Sequence, residues 1–186
     1  MPRIYVSCYR DMPDHVKILQ PTHLVSVIGP NEVSEPDGLP PTPESIASEK
    51  HLKLSVHDIW VDDAAQILPG EHHIERLIAF GRSWDREEPL LVHCLAGVSR
   101  STAAALTLLV MGSPGQERDA AQLLRERAPH AEPNRLMIAI ADEMLGLDGV
   151  LIEAVREIGP GDYGDVGPLT KLPARMSLHT EKRGAA

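Results

Sequence analysis

The sequence predicts an α/β fold, with a central, mostly parallel sheet of four to five strands flanked by helices. Three observations predict it. Short β-rich or apolar runs alternate with helical patterns along most of the chain, the order that builds parallel sheets. One run, "PLLVHC" (89–94), is apolar almost throughout, as in a strand buried on both faces. It passes through "LAGVSR" into the Ala/Leu-rich "STAAALTLLV", so a buried strand leads into a helix across a tight turn.

"RIYVSCY" (3–9) is a short β-rich run and gives the first strand. "DMPDHVKILQ" follows as a helix opened by Asp11. "HLVSVIG" (23–29) reads as a buried strand closed by Gly29-Pro30. From Pro30 to Ser48 the chain is rich in Pro, Ser and acid, an exposed loop. "HLKLSV" (51–56) alternates in polarity and gives a third strand, and "HDIWVDDAAQILPG" a loop after it. "EHHIERLIAFGRSWD" (71–85) carries apolar residues at 74, 77, 78 and about 81, which is helical spacing. Beyond the fourth strand, helices are expected over about 99–112, 116–128, 133–146 and 149–158, with Pro133 at a first helical position. From Gly159 the periodicity is lost. The expected division is therefore one domain over 1–158 and a Pro/Gly-rich tail over 159–186 that adds little to any core.

Composition narrows the functions available. A formal charge of −9 offers neither nucleic acid nor an anionic membrane a basic patch to hold. Any anion site must then be local. Hydrophobic residues make up 42 % of the chain, with one Phe, two Trp and three Tyr, so the core is built from Leu, Ile, Val, Ala and Met. Two cysteines, Cys8 and Cys94, cannot form a disulfide framework. The start lacks a charged region followed by an apolar one, and the longest uncharged apolar stretch, Ser101 to Gly112, is too short to span a bilayer. The expectation is a soluble cytoplasmic protein.

The turn after the fourth strand carries the chemistry. Its backbone N–H groups can converge on one point at a helix N-terminus, where unpaired donors and the helix dipole both favour an anion. Ala96, Gly97 and Ser99 are small enough for close backbone approach. The same field stabilises a thiolate at Cys94, making it a nucleophile. Arg100 offers a planar fork matched to two phosphate oxygens. A bare Cys-x5-Arg should arise by chance in roughly one chain in ten of this length. Requiring His93 before it, Gly97 within it and Ser101 after it lowers that to roughly one in ten thousand. The plainer alternative, a small buried cysteine and a surface arginine, is correspondingly disfavoured.

"VHCLAGVSRS" resembles the signature loop of the protein tyrosine phosphatase superfamily, nearest to its dual-specificity branch. "THLVSVI", "LKLSVHDIW" and "APHAEPNRLM" are similar to further segments of that family, so the resemblance covers about residues 20–146. It implies a Cys-x5-Arg phosphatase fold, with residues 1–158 as the catalytic domain. It implies that Cys94 attacks phosphorus, while Arg100 and the backbone N–H groups of Leu95, Ala96, Gly97, Val98, Ser99 and Arg100 bind phosphate. By the same resemblance His93 orients the loop and Ser101 eases departure of the sulfur. Asp58 protonates the leaving oxygen and then activates water. No metal and no cofactor takes part. The substrate is a phosphorylated protein or a small phosphate ester, with inorganic phosphate as product, and neither nucleic acid nor membrane is a partner.

Asp58 is preferred to Asp62 and Asp63, on the same loop, because it directly follows a strand at the sheet edge that carries the loop. Leu95, Ala96 and Val98 are uncharged, whereas polyphosphoinositide-hydrolysing branches tend to place Lys there. Phosphotyrosine and phosphoserine/threonine of proteins therefore remain open as substrates. Two rivals also remain: a catalytically silent phosphoprotein-binding module on the same fold, and a sulfurtransferase. Among other residues, His72 and His73 read as a solvated polar face with rings pointing apart. Trp60 and Trp84 read as packing or rim residues. Cys8 closes the first strand near the edge expected for Cys94, so an oxidative Cys8–Cys94 pairing is a further hypothesis.

Overall fold

A computed structural model describes residues 3–35 and 38–177. Four parallel strands form its centre: β1 (Arg3–Cys8), β2 (His23–Ile28), β3 (His51–Ser55) and β4 (Leu90–Cys94). The sheet has the order β3-β2-β4-β1-β5, with β5 (Thr170–Pro173) antiparallel to β1 at one edge. All residues of β2 and β4 are buried, as their apolar runs require. The register aligns Cys8 with Cys94 and Ser26 with His93, so β1, β2 and β4 end together beside the turn.

The two faces are covered unequally. Helix α1 (Met12–Leu19) and Ile46 of the long loop cover one face, packing Met12 and Val16 against Leu24 and Leu91. The opposite face carries α2 (Glu71–Ser83), α3 (Arg100–Met111), α4 (Glu117–Arg127), α5 (Arg135–Leu145) and α6 (Val150–Glu157). Helix α3 is central, and eleven of its twelve residues are buried. It is apolar all round for that reason, which its Ala/Leu-rich sequence had announced.

Three expectations change. The segment after Gly159 is no mere tail, because Thr170–Pro173 completes the sheet and Leu172 and Ala174 lie in the main core. The pattern was hard to read because the strand is only four residues long. Thr170 and Leu172 face inward while Lys171 is exposed, and Pro173 suits an edge. Pro133 is not a first helical position: Asn134 is the N-cap of α5, its side chain accepting the N–H of Met137 at 3.1 Å. His72 and His73 do not point apart, since their ring centroids lie 3.7 Å from one another. His73 is buried and its Nδ1 accepts the N–H of Gly70, closing the start of α2.

Five histidines are buried among the described residues: His23, His51, His73, His93 and His130. Burial, which disfavours the charged imidazolium, is the largest cause that lowers the pKa of each. His51 is lowered to about 4, helped by Lys53, and His93 to about 3, helped by the charge of His51. Below pH 6.5 the unfolded chain therefore takes up protons that the folded chain refuses. The stabilisation is complete above that pH and is lost downward towards about 4 for His51 and about 3 for His93. Each proton so refused costs about 1.4 kcal/mol per pH unit. The urea midpoint should hold from pH 7.5 to about 6.5 and fall from there to pH 5.5, less steeply in His51→Gln. A midpoint flat over that window would contradict this account.

Candidate active site

The turn between β4 and α3 is a cup whose walls are held from outside. The carbonyl of Leu95 accepts the N–H of Tyr9 at 3.1 Å, and that of Ala96 the N–H of Gly167 at 2.8 Å. Val98 accepts from Glu132 N–H at 3.0 Å, and Ser99 from Asn134 N–H at 3.4 Å and Ala103 N–H at 3.0 Å. In a trans peptide, C=O and the following N–H point in opposite directions, and no peptide bond among the described residues is cis. Tying these four carbonyls outward turns the N–H groups of Ala96, Gly97, Ser99 and Arg100 inward. The Gly97 N–H accordingly donates to Cys94 Sγ at 3.2 Å.

Gly97 has φ +75°, and a Cβ there would lie 2.8 Å from the backbone N of Cys8 and 2.9 Å from the carbonyl O of Ser7. Glycine is therefore demanded twice, by backbone conformation and by the close approach of β1. Cys94 sits at the floor, 1 % exposed, with Ser101 Oγ 3.1 Å from its sulfur. Behind it, His93 is fully buried and shares a short hydrogen bond with Ser26 Oγ (2.6 Å). Ser26 also bonds His51 Nε2, and His51 Nδ1 bonds Thr42 Oγ1. This chain fixes the ring of His93 and hence the end of β4.

Arg100 is 2 % exposed, and its fork is not free. Nη1 donates to Glu32 Oε2 at 2.6 Å and to the carbonyl of Val56 at 2.8 Å, and Nη2 donates to Glu32 Oε1 at 3.1 Å. Its Nε has no hydrogen-bond acceptor and stands 3.8 Å from Asp58 Oδ2. Burial acts to lower the pKa of Arg100, yet the Glu32 hydrogen bonds and the negative charges of Cys94, Glu32 and Asp58 raise it above the ordinary arginine value. The guanidinium is thus a permanent cation whose Nε has no acceptor. Glu32 lies in the loop that sequence reading treated only as exposed.

Asp58 closes the rim. Its Oδ1 accepts from Ser99 Oγ at 2.7 Å and from Asn134 Nδ2 at 2.8 Å. Asp62 and Asp63 are exposed, and Asp63 Oδ1 accepts the N–H of Ala65. Cys94, Arg100, Ser101 and Asp58 are therefore brought together. Glu32 and Asn134 were missed by sequence reading, although the Pro133-Asn134 helix start signalled the latter. Among the described residues no group of three His, Cys, Asp or Glu could hold a metal ion, and no helix is long and apolar enough to cross a membrane.

The fold is shared with solved phosphatase structures, among them the Yvh1 phosphatase domain from Chaetomium thermophilum, which covers 80 % of this chain and 93 % of its own with a TM-score of 0.55 and 21 % identity. Sequence comparison agrees: the chain is 25 % identical over 183 residues to human dual specificity protein phosphatase 16, covering 98 % of this chain. It spans 24 % of that relative's length. The DUSP15 structure matches 89 % of this chain and 95 % of its own, with a TM-score of 0.54 and 21 % identity. The human tyrosine phosphatase-like serine/threonine/tyrosine-interacting protein covers 78 % of this chain and 92 % of its own, with a TM-score of 0.55 and 20 % identity. No family model matches. Neighbours at this identity share the fold, so chemistry has to be argued from the site.

Gly97→Ala isolates the close approach on which the cup depends. Gly115 has a similar φ of +78° but nothing within 4 Å of an added Cβ. Gly115→Ala should cost about 1 kcal/mol, the backbone penalty alone. Gly97→Ala should cost clearly more, roughly 2–4 kcal/mol, since local strain and a backbone clash combine. Equal urea midpoints for the two variants would show that the approach of β1 to the turn is looser than described.

Proposed function

We propose that the chain hydrolyses phosphomonoesters of proteins, phosphotyrosine and phosphoserine/threonine, through a thiophosphoryl-enzyme intermediate on Cys94. One observation carries this reading: a single cup holds a sulfur with two hydrogen-bonding neighbours, inward N–H groups, a spare Arg100 Nε and a carboxyl at the rim. A phosphate seated there would have its oxygens on the N–H groups and Arg100. Its phosphorus would lie above Cys94 Sγ. The thiolate attacks phosphorus, the bond to the leaving oxygen breaks, and Asp58 delivers the proton which that oxygen needs. Asp58, now a carboxylate, takes a proton from water as the water attacks phosphorus. The S–P bond breaks, and Ser101 O–H stabilises the departing thiolate. Inorganic phosphate leaves and Asp58 is protonated again.

Preorganised donors stabilise the charge spread over the transferring phosphoryl group without reorganising in the reaction. Neither metal nor cofactor enters these steps. His93 and Ser26 act from behind by holding the strand end that carries the nucleophile.

p-Nitrophenyl phosphate turnover in the presence of EDTA tests this directly. Wild type should release phosphate, Cys94→Ser should release none, and Asp58→Ala should be slower by roughly two to four decades. Asp62→Ala should stay within about threefold. If Asp62→Ala loses the activity and Asp58→Ala keeps it, the acid is misassigned. Thiosulfate turnover with cyanide in place of phosphate release would identify a sulfurtransferase. Phosphopeptide binding with neither turnover would identify a silent binding module.

A further inference from the structure

The chain has six aromatic residues. Phe80 and Trp84 are buried, and Tyr5 and Tyr9 are half-buried. The other two, Trp60 and Tyr163, are 62 % and 54 % exposed, and both line one cleft of about 420 Å³. The same cleft is lined by Asp58, Ala96 and Ser99, so it opens directly from the cup. Trp60 comes from the loop that carries Asp58. Tyr163 comes from the segment after α6, which Gly167 fastens to the carbonyl of Ala96 and Asp162 to that of Pro129. Six of the nine exposed large hydrophobic residues among the described ones fall on 60–67, Leu95 and 163–169. Two exposed aromatic residues that line one cleft are a recognition feature.

We propose that Trp60 and Tyr163 are the walls of the leaving-group site and select aryl phosphates, the phosphotyrosine of proteins, over alkyl phosphates. The inference rests on the phosphomonoesterase reading above. A phosphate held in the cup places its ester oxygen beside Asp58, and whatever that oxygen carries must lie in this cleft. A tyrosyl ring is flat and apolar, and it offers both aromatic walls a face or an edge to pack against. A seryl methylene offers no such face. The charges lining the cleft are unsuited to an anionic lipid surface, since Glu132 and Asp165 join Asp58 there. Arg135, its one cation, lies 3.8 Å from Glu132.

The test is steady-state kinetics of the full chain on a phosphotyrosine peptide and the same peptide with phosphoserine, with orthovanadate inhibition as a probe of the cup alone. Vesicles carrying phosphatidylinositol monophosphate serve as the lipid arm. Wild type should prefer the phosphotyrosine peptide. Tyr163→Ala and Trp60→Ala should each lower the ratio of the two kcat/KM values by about three- to tenfold, chiefly through KM for the phosphotyrosine peptide. Tyr163→Phe should keep the ratio, and the vanadate inhibition constant should stay within about twofold throughout. Equal losses on both peptides, an unchanged ratio, or vesicles turned over faster than the phosphotyrosine peptide would overturn the assignment while leaving the phosphatase reading intact. A wild-type chain that cleaves no ester would overturn both.

Discussion

The site depends on the outward tethering of one short turn. Left alone, six residues between a strand and a helix would bond their own polar groups or water in many ways. Here neighbouring backbone fixes the carbonyls of Leu95, Ala96, Val98 and Ser99 from outside. Apart from Ala103 of α3, the donors come from three places far apart in sequence: the end of β1, the connection before α5, and the segment that leads to β5. Only the assembled fold can aim the N–H groups inward, and it does so before any ligand arrives. That makes the proposed anion site preorganised in the sense that matters for charge stabilisation.

Electrostatic balance follows from the same assembly. Arg100 is buried beside Glu32, Asp58 and the sulfur of Cys94, and a cation so placed needs its partners to be tolerated. Glu32 takes the two terminal nitrogens and holds the guanidinium plane still, while Nε is left without an acceptor. Behind the cup the logic reverses. His93 and His51 are held neutral by burial, so the strand end is fixed by hydrogen bonds without adding charge beneath Cys94.

What could be read from the chain was what is local. Strand β4, the turn and helix α3 are contiguous, and their apolar run, small residues and Ala/Leu stretch all point the same way. The position of Asp58 at the rim was legible because it follows a strand whose end belongs to the same sheet edge. Glu32 was not, because an acid in a loop rich in Pro, Ser and acid carries no mark of a partner 68 positions away. Asn134 was legible as a helix start but not as a donor to Asp58. The last strand was missed because four residues and a proline give too short an alternation. With it went the role of Gly167 as a tether and of Tyr163 as part of the cleft.

The most direct measurement is a crystal structure of the protein grown with orthovanadate. The account predicts vanadium in line with Cys94 Sγ, its equatorial oxygens on the N–H groups of the turn and on Arg100 Nε, and the Glu32–Arg100 pair still in place. Vanadate bound elsewhere, or a turn whose carbonyls had rotated inward, would contradict it.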